Sequence, residues 1–458
     1  MNEPTFCWES TLPFSPSHVF SWHSRPGAFE RFNPPWRPVR VIVPPSSLQN
    51  GAQVSIELPL LGPLSLRWDL THRDFQENVQ FCDEQVRGPF RAWTHRHRFI
   101  PEGPSSCRMR DEIYYDPPLG LTFLRPLVNR ELKRLFHFRH MALATDLTLH
   151  ARWSNQPRKR ILISGASGFI GSALSAFLST AGHSVIKLVR RPPAHPDERF
   201  WNPETQELSP EVFKDIDVVI HLGGENLLAK RWDAAFKKKI IESRVTSSRL
   251  LCSTIANLSK RPEAVIMASA VGFYGDTGSM SVDESAPSGS GFLAETCKAW
   301  EQSAHEALNN STRLVHLRIG TVLNARGGAL QKMLPAFLMG VAGVLGSGKH
   351  FMSWIALQDL LGIIEHTIYT PSLIGPVNAT SPHPVTNRDF TKTLGAILHR
   401  PTIIPTPATL VRMIFGEVAD EALLASSRVI PSALLASGYQ FVFPQLQDAL
   451  RFECGISP

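Results

Sequence analysis

No apolar run in the 458-residue chain reaches the roughly 18–20 residues that a helical membrane span requires. The N-terminus, MNEPTFCWESTLPF, lacks a basic region followed by an apolar stretch, so no secretory leader is expected and the expected location is cytoplasmic. Cysteine is scarce: Cys7, Cys82, Cys107, Cys252, Cys297 and Cys454 are scattered, with no C-x-x-C pair and no histidine at metal spacing beside them. That pattern points to neither a disulfide framework nor a zinc site, and no metal is expected. Low-complexity tracts and internal repeats are also missing. A formal net charge of +7 raises the question of nucleic acid, but Lys and Arg are spread along the chain. The densest cluster, Lys237-Lys238-Lys239, falls within one amphipathic helical pattern, where a solvated face accounts for it. No nucleic-acid partner is expected. What is present, 43% hydrophobic and 19% charged residues, describes a globular protein of two or three domains.

Three segments succeed one another. Residues 1–153 are β-rich and end in one long helix. Arg40-Val-Ile-Val, Gln53 to Leu58, Ser65 to Leu70, Val79 to Cys82, Thr94 to Phe99 and Met109 to Tyr115 alternate or cluster as strands do. Breaks at Gly62-Pro63, Gly88-Pro89 and Pro101 to Pro104 separate them. From Pro126 to Trp153 the chain is free of interior Gly and Pro, and Leu132, Leu135, Phe136, Met141, Leu143 and Leu147 recur at helical spacing. Residues 154–159 are a polar, Pro-containing linker. Alternating strand–helix units then fill 160–400 and predict a parallel sheet with crossover helices. A Pro-rich passage from Arg400 to Pro407 opens a short helical tail, 401–458.

The second segment begins with the apolar strand Ile161-Leu-Ile-Ser, the loop Gly165-x-x-Gly168-x-x-Gly171 and the helix starting near Ser172. Glycine serves there because the backbone must turn sharply and approach a pyrophosphate with no Cβ in the way. The first N–H groups of the helix then face the phosphate. Strand, loop and helix in that order predict dinucleotide binding through Gly165, Ser167, Gly168, Phe169, Ile170 and Gly171. The next strand, His183 to Val189, ends in Arg190-Arg191, where loops that select NAD place an acidic residue for the ribose 2′-hydroxyl. Two arginines suit a 2′-phosphate, so NADP is the expected cofactor, with NAD possible.

Beyond the loop stand His221-Leu-Gly-Gly-Glu-Asn, Ser243-Arg-Val-Thr-Ser-Ser-Arg-Leu-Leu, Ser269-Ala-Val-Gly-Phe-Tyr-Gly, Leu317-Arg-Ile-Gly-Thr-Val-Leu and Gly346 to Ile355. With the tail's Phe415-Gly-Glu-Val-Ala, Ser427-Arg-Val-Ile-Pro and Gly438-Tyr-Gln-Phe, they make residues 159–452 resemble the extended short-chain dehydrogenase/reductases. The resemblance is to the atypical, epimerase-like subgroup with a small C-terminal domain. It implies an α/β fold, a Rossmann-type doubly wound parallel sheet with a small C-terminal subdomain. By analogy Arg190, Leu222, Gly223 and Arg244 line the cofactor. On the order of its elements alone, residues 1–153 resemble the α+β helix-grip (START-like, cyclase/dehydrase) fold, which implies a cavity for an apolar ligand.

In that superfamily a Tyr and a Lys four residues later sit on one helix face, and the ammonium lowers the phenol pKa for proton exchange. Here the pair is missing. With Glu301 aligned to the family's usual glutamate, Leu293 and Cys297 take those positions; a one-residue shift gives Ala294 and Lys298. None of the five tyrosines has Lys four residues on. The family's Ser is present as Ser269. Three readings stay open: Tyr274 acts as the acid beside Ser269; Lys298, Cys297 or Glu295 serves another chemistry; or the domain binds NADP without turnover. The expected function is an NADP-binding oxidoreductase or epimerase-like enzyme acting on a small molecule. The rival is a non-catalytic NADP(H)-binding protein with a carrier domain for a lipid-like ligand.

Overall fold

Strands that alternate inward and outward side chains build the first third of the chain, and strands buried on both faces build the rest. The computed structural model describes residues 3–37, 39–59, 64–117, 120–310 and 312–456. It divides into one unit over Met1–Ser154, Ser179–Gly182 and Cys454–Pro458 and another over Asn155–Leu178 and His183–Glu453. The expected break at Gly62-Pro63 lies outside the described residues.

The first unit contains β1 (Phe6–Leu12), β2 (Arg40–Val43), β3 (Gln53–Pro59), β4 (Ser65–Gln76), β5 (Gln80–Arg87), β6 (Ala92–Gly103) and β7 (Ser106–Asp116). They form one antiparallel sheet in the order β1-β7-β6-β5-β4-β3-β2. Two helices, α1 (Pro16–Ser24) and α2 (Ala28–Arg31), sit between β1 and β2 in the chain, and α3 (Arg125–Ala151) closes the unit. The sequence patterns missed β1, α1 and α2. Phe6–Leu12 carries polar Glu9, Ser10 and Thr11, so only its pairing with β7 makes it a strand. Proline falls in the first turn of α3, where its missing N–H costs nothing. Leu143 and Leu147 of α3 join a core with Phe20, Phe81, Phe99 and Met109. Leu132 and Phe136 join a second one with Trp93, Ile113 and Tyr115. A buried ion pair, Arg31–Asp146 at 2.7 Å, ties α2 to α3.

In the second unit β8 (Arg160–Ser164), β9 (Ser184–Val189), β10 (Glu198–Phe200), β11 (Val218–His221), β12 (Ala264–Ala270) and β13 (Arg313–Ile319) are joined by the strand Gly375–Ala379. The order is β10-β9-β8-β11-β12-β13 and then Gly375–Ala379, every pair parallel. Ile161, Leu162, Ile163, Val218, Val219, Ile220, Val265, Ile266 and Met267 are fully buried, as a sheet covered on both faces requires. The strand order reverses between β8 and β11, which opens a crevice at the carboxyl ends of those strands. The helices α4 (Phe169–Thr180), α5 (Ala234–Ala256) and α6 (Phe292–Leu308) come after β8, β11 and β12.

Up to Glu453 the tail belongs to this second unit. Asp359 accepts the backbone N–H groups of Val442 and Phe443 at 2.7 and 2.8 Å, and Val429 bridges to Val282. No helix among the described residues is long and apolar enough to cross a membrane.

Candidate functional site

The glycine loop sits at the strand-order reversal. Gly165 has φ +73°, and a Cβ there would lie 2.9 Å from the carbonyl carbon of Leu222. At Gly171 a Cβ would come within 2.8 Å of the Ala166 Cα and closer still to the Gly165 oxygen. Gly168 donates its N–H to Gly165 O at 3.0 Å, closing the turn, and α4 starts at once. Its first-turn N–H groups have no intrahelical partners, which makes this an anion seat. Ser167 and Gly168 are exposed there; Phe169 and Ile170 are half-buried.

Beneath the loop runs a buried polar chain that the sequence did not announce. Ser164 at the end of β8 meets His221 Nδ1 at the end of β11, and His221 Nε2 lies 3.0 Å from Ser247 Oγ on α5. Burial, helped by the charge of Arg244, pushes the His221 pKa down to about 4, so the ring is a neutral spacer between two strand ends. Leu222 N–H bonds Ser164 O at 3.1 Å and holds the second loop against the first.

The structure separates the two arginines at the end of β9. Glu198 of the neighbouring β10 takes Arg191 in a two-point pair, with Nη1–Oε2 at 2.9 Å and Nη2–Oε1 at 2.6 Å. That hydrogen bonding draws the Glu198 carboxyl down to about 2. Arg190 is exposed and has no ion-pair partner among the described residues. Arg244 is spent on the backbone: it donates to Ile240 O and Glu225 O, both at 3.0 Å, and its guanidinium lies under Gly224, where a Cβ would be 3.2 Å from Cζ. It shapes the Leu222–Gly223 loop by supporting Gly224 and Glu225 just beyond it.

At the far side, Ser269 lies at the end of β12 and Tyr274 ends the turn Val271–Tyr274 next to it. Both are buried. Ser269 Oγ donates to Glu301 Oε1 at 2.6 Å. Glu301 pairs at two points with Arg318, at 2.9 and 2.8 Å. Arg318 Nη1 donates to the Tyr274 hydroxyl at 2.9 Å, and that hydroxyl donates to Asn378 Oδ1 at 2.8 Å. Asn378 in turn is held by Glu284, which accepts its N–H, and by Ile430 O in the tail. Desolvation raises the Tyr274 pKa against the pull of Arg318.

The helix face that carries Tyr and Lys elsewhere is apolar here. A Cβ on Gly272 would lie 3.3 Å from Leu293 Cβ and 4.0 Å from Cys297 Sγ, so those two side chains face the Val271–Tyr274 turn. Burial pushes the Cys297 thiol up to about 12, which leaves it protonated and unreactive. Ala294 is buried too, whereas Glu295 and Lys298 are exposed on the opposite face of α6. Glu421 of the tail accepts the N–H groups of Phe292 and Leu293 and caps the helix.

Comparison with known proteins agrees with this geometry. Residues 161–372 match the NAD dependent epimerase/dehydratase family, residues 12–138 the polyketide cyclase / dehydrase and lipid transport family, and residues 406–453 a domain of unknown function. The epimerase family protein MT2273 of Mycobacterium tuberculosis is 44% identical over 292 residues, covering 64% of this chain and 96% of its own. The mouse epimerase family protein SDR39U1 is 39% identical over 296 residues, 64% of this chain and 98% of its own. Among solved structures, a nucleoside-diphosphate sugar epimerase from Corynebacterium glutamicum covers 98% of this chain and 90% of its own, with a TM-score of 0.82 at 30% identity. The human epimerase family protein SDR39U1, solved with NADPH, covers 64% of this chain and 98% of its own, with a TM-score of 0.59 at 35% identity.

Proposed function

Because the chain belongs to the NAD-dependent epimerase/dehydratase family, we propose that its second unit binds NADPH on the Gly165–Gly171 loop and serves as an oxidoreductase or epimerase toward a small molecule. The observation that carries this reading is the cradle itself: two glycines whose Cβ would collide with backbone, opening on a helix start, with the unpaired Arg190 one strand away. The human relative solved with NADPH supports it.

Arg190 is the residue we place on the 2′-phosphate, since Arg191 already holds Glu198. Ser167, Gly168, Phe169 and Ile170 would meet the pyrophosphate, Leu222 and Gly223 the adenine side, and Arg244 would act through the loop it supports. The nicotinamide supplies or receives the hydride when bound. Proton handling falls to Ser269 and Tyr274. Arg318, with a nitrogen 2.9 Å from the Tyr274 oxygen, is placed to stabilise a phenolate as the missing lysine would. The first unit would present an apolar ligand from its aromatic interior, and the domain limits 1–153, 160–400 and 401–458 are proposed on the same footing. Six cysteines, none of them in a disulfide, suit a reducing, cytoplasmic setting.

One observation favours the non-catalytic alternative: both hydroxyl protons are donated inside the protein, from Ser269 to Glu301 and from Tyr274 to Asn378. NADPH fluorescence and oxidation separate the two. The catalytic reading predicts saturable binding, loss of binding in Gly171→Val, and NADPH oxidation with some carbonyl or sugar-nucleotide substrate that Tyr274→Phe abolishes. Binding without oxidation across a broad panel would support the alternative. Failure to bind either nicotinamide nucleotide at micromolar levels would refute both.

A further inference from the structure

The inner face of the first sheet carries polar groups that an apolar ligand cavity does not call for. On β6 the side chains of Trp93, His95, His97 and Phe99 alternate inward. His95 stands directly opposite Asp83 of β5, and Asp83 opposite His72 of β4; His97 stands opposite Asp111 of β7. Strand register alone therefore sets two carboxylates and three imidazoles side by side, and α3 adds His140. All but Asp83 are buried, and Asp83 is nearly so.

His95 and His97 each bridge the same two carboxylates. His95 Nε2 lies 2.8 Å from Asp111 Oδ1, and its Nδ1 lies 3.7 Å from Asp83 Oδ2. His97 Nδ1 lies 2.7 Å from Asp111 Oδ1, and its Nε2 lies 3.3 Å from Asp83 Oδ2. A carboxylate only accepts, and a neutral imidazole carries one N–H. Four nitrogen–carboxylate approaches thus share two donors when both rings are neutral and three when one is protonated, so at least one approach sets lone pair against lone pair. The strain is visible at His97, 6% exposed, whose Nδ1 is close to Asp111 yet lacks an aligned hydrogen-bond partner. Such an arrangement is costly in a buried site unless a cation occupies it.

We propose that Asp83 Oδ2, His95 Nδ1 and His97 Nε2 bind a divalent transition-metal ion of the zinc class. One ligand atom from each residue lies within 4.8 Å of the others. Two tetrahedral zinc ligands at about 2.0–2.1 Å from the metal stand about 3.3–3.4 Å apart, and the Asp83–His97 and Asp83–His95 separations of 3.3 and 3.7 Å bracket that value. With the metal in place, His95 Nε2–H donates to Asp111, and His97 Nδ1–H faces the same carboxylate at 2.7 Å. That is the carboxylate–histidine–metal relation that orients such ligands. Asp111 is itself fixed by His140 Nε2 at 2.6 Å, whose Nδ1 meets Ser10 Oγ at 2.6 Å. His72, anchored on Ser47 O at 2.8 Å, holds the other oxygen of Asp83 at 3.0 Å. Three protein ligands leave a fourth position open to water or to a ligand in the grip, as catalytic rather than structural zinc sites do.

The test uses the full chain, stripped with a chelator and titrated with Co2+ and Zn2+. One equivalent of Co2+ giving the visible d–d spectrum of a tetrahedral N/O site is expected, displaced by Zn2+. Zinc-edge X-ray absorption of the wild-type protein should show nitrogen and oxygen neighbours with no sulfur. Asp83→Asn and His97→Gln should each weaken Co2+ binding at least 100-fold while NADPH binding stays unchanged. Absence of stoichiometric metal on the wild type would overturn the proposal and leave extra protons as the occupants of the cluster. Sulfur ligation, or undiminished binding in a folded Asp83→Asn chain, would overturn it as well. The wild-type measurements decide the matter even where a variant fails to fold.

Discussion

Two buried polar networks, one in each unit, differ in a way that bears on what each is for. In the second unit Ser269, Glu301, Arg318, Tyr274 and Asn378 form a line in which both hydroxyls and all three Arg318 nitrogens meet an acceptor and one carboxylate meets one guanidinium. In the first unit His95 and His97 stand between Asp83 and Asp111 with fewer protons than contacts. A closed network holds its side chains in place with no outside group, which suits residues proposed to position a proton. An open one marks a place where something else binds. The contrast recurs on a small scale at the end of β9, where Arg191 is closed by Glu198 and Arg190 is open.

Breaking the closed network should have the largest effect. Arg318→Met leaves the nearly buried Glu301 carboxylate without its partner and should cost the second unit about 3–5 kcal/mol, read by denaturant unfolding. A loss below about 1 kcal/mol would show that solvent reaches the pair and that the network is not closed. On the other side, Asp111→Asn removes the group that orients both imidazoles, and should lower Co2+ affinity by about 10–100-fold. An unchanged affinity would detach Asp111 from the metal site. At β9, Arg190→Asp should weaken NADPH by about 1.5–3 kcal/mol, the worth of a charge-assisted hydrogen bond, and leave NADH nearly untouched. Equal losses for both nucleotides would remove Arg190 from the 2′-phosphate. The smallest effect on stability is expected from Tyr274→Phe, about 1 kcal/mol, with NADPH affinity intact although oxidation is lost. A drop in NADPH affinity would place the phenol against the cofactor rather than in the closed network.

The parts that sequence reveals are those set by local backbone chemistry. The glycine loop is readable because Gly165 and Gly171 answer steric demands within a few residues of themselves, and α3 because its apolar spacing continues for about seven turns. The missing Tyr–Lys pair is equally plain, and Leu293 and Cys297 do face the turn that the pair would serve. What stays hidden is set by pairing between distant strands. Glu198 reaches Arg191 only because β10 lies in parallel register beside β9. Glu301 and Arg318 come from α6 and β13, and nothing in either segment points to the other. The polar strand β1 exists only against β7. His95-Arg-His97 is readable as a strand with two histidines on one face, but the carboxylates that give it meaning lie 12 residues before His95 and 14 after His97. Cysteine spacing gives no hint of a site built from imidazoles and carboxylates.

The central claim is that the open groups around the Gly165–Gly171 loop accept NADPH. Titration of the full chain with NADPH and with NADH, followed by the fluorescence of the bound nicotinamide, tests it most directly. Saturable binding of both is predicted, with NADPH at least about tenfold tighter, a difference of about 1.4 kcal/mol. Preference for NADH, or no binding of either nucleotide, would contradict it.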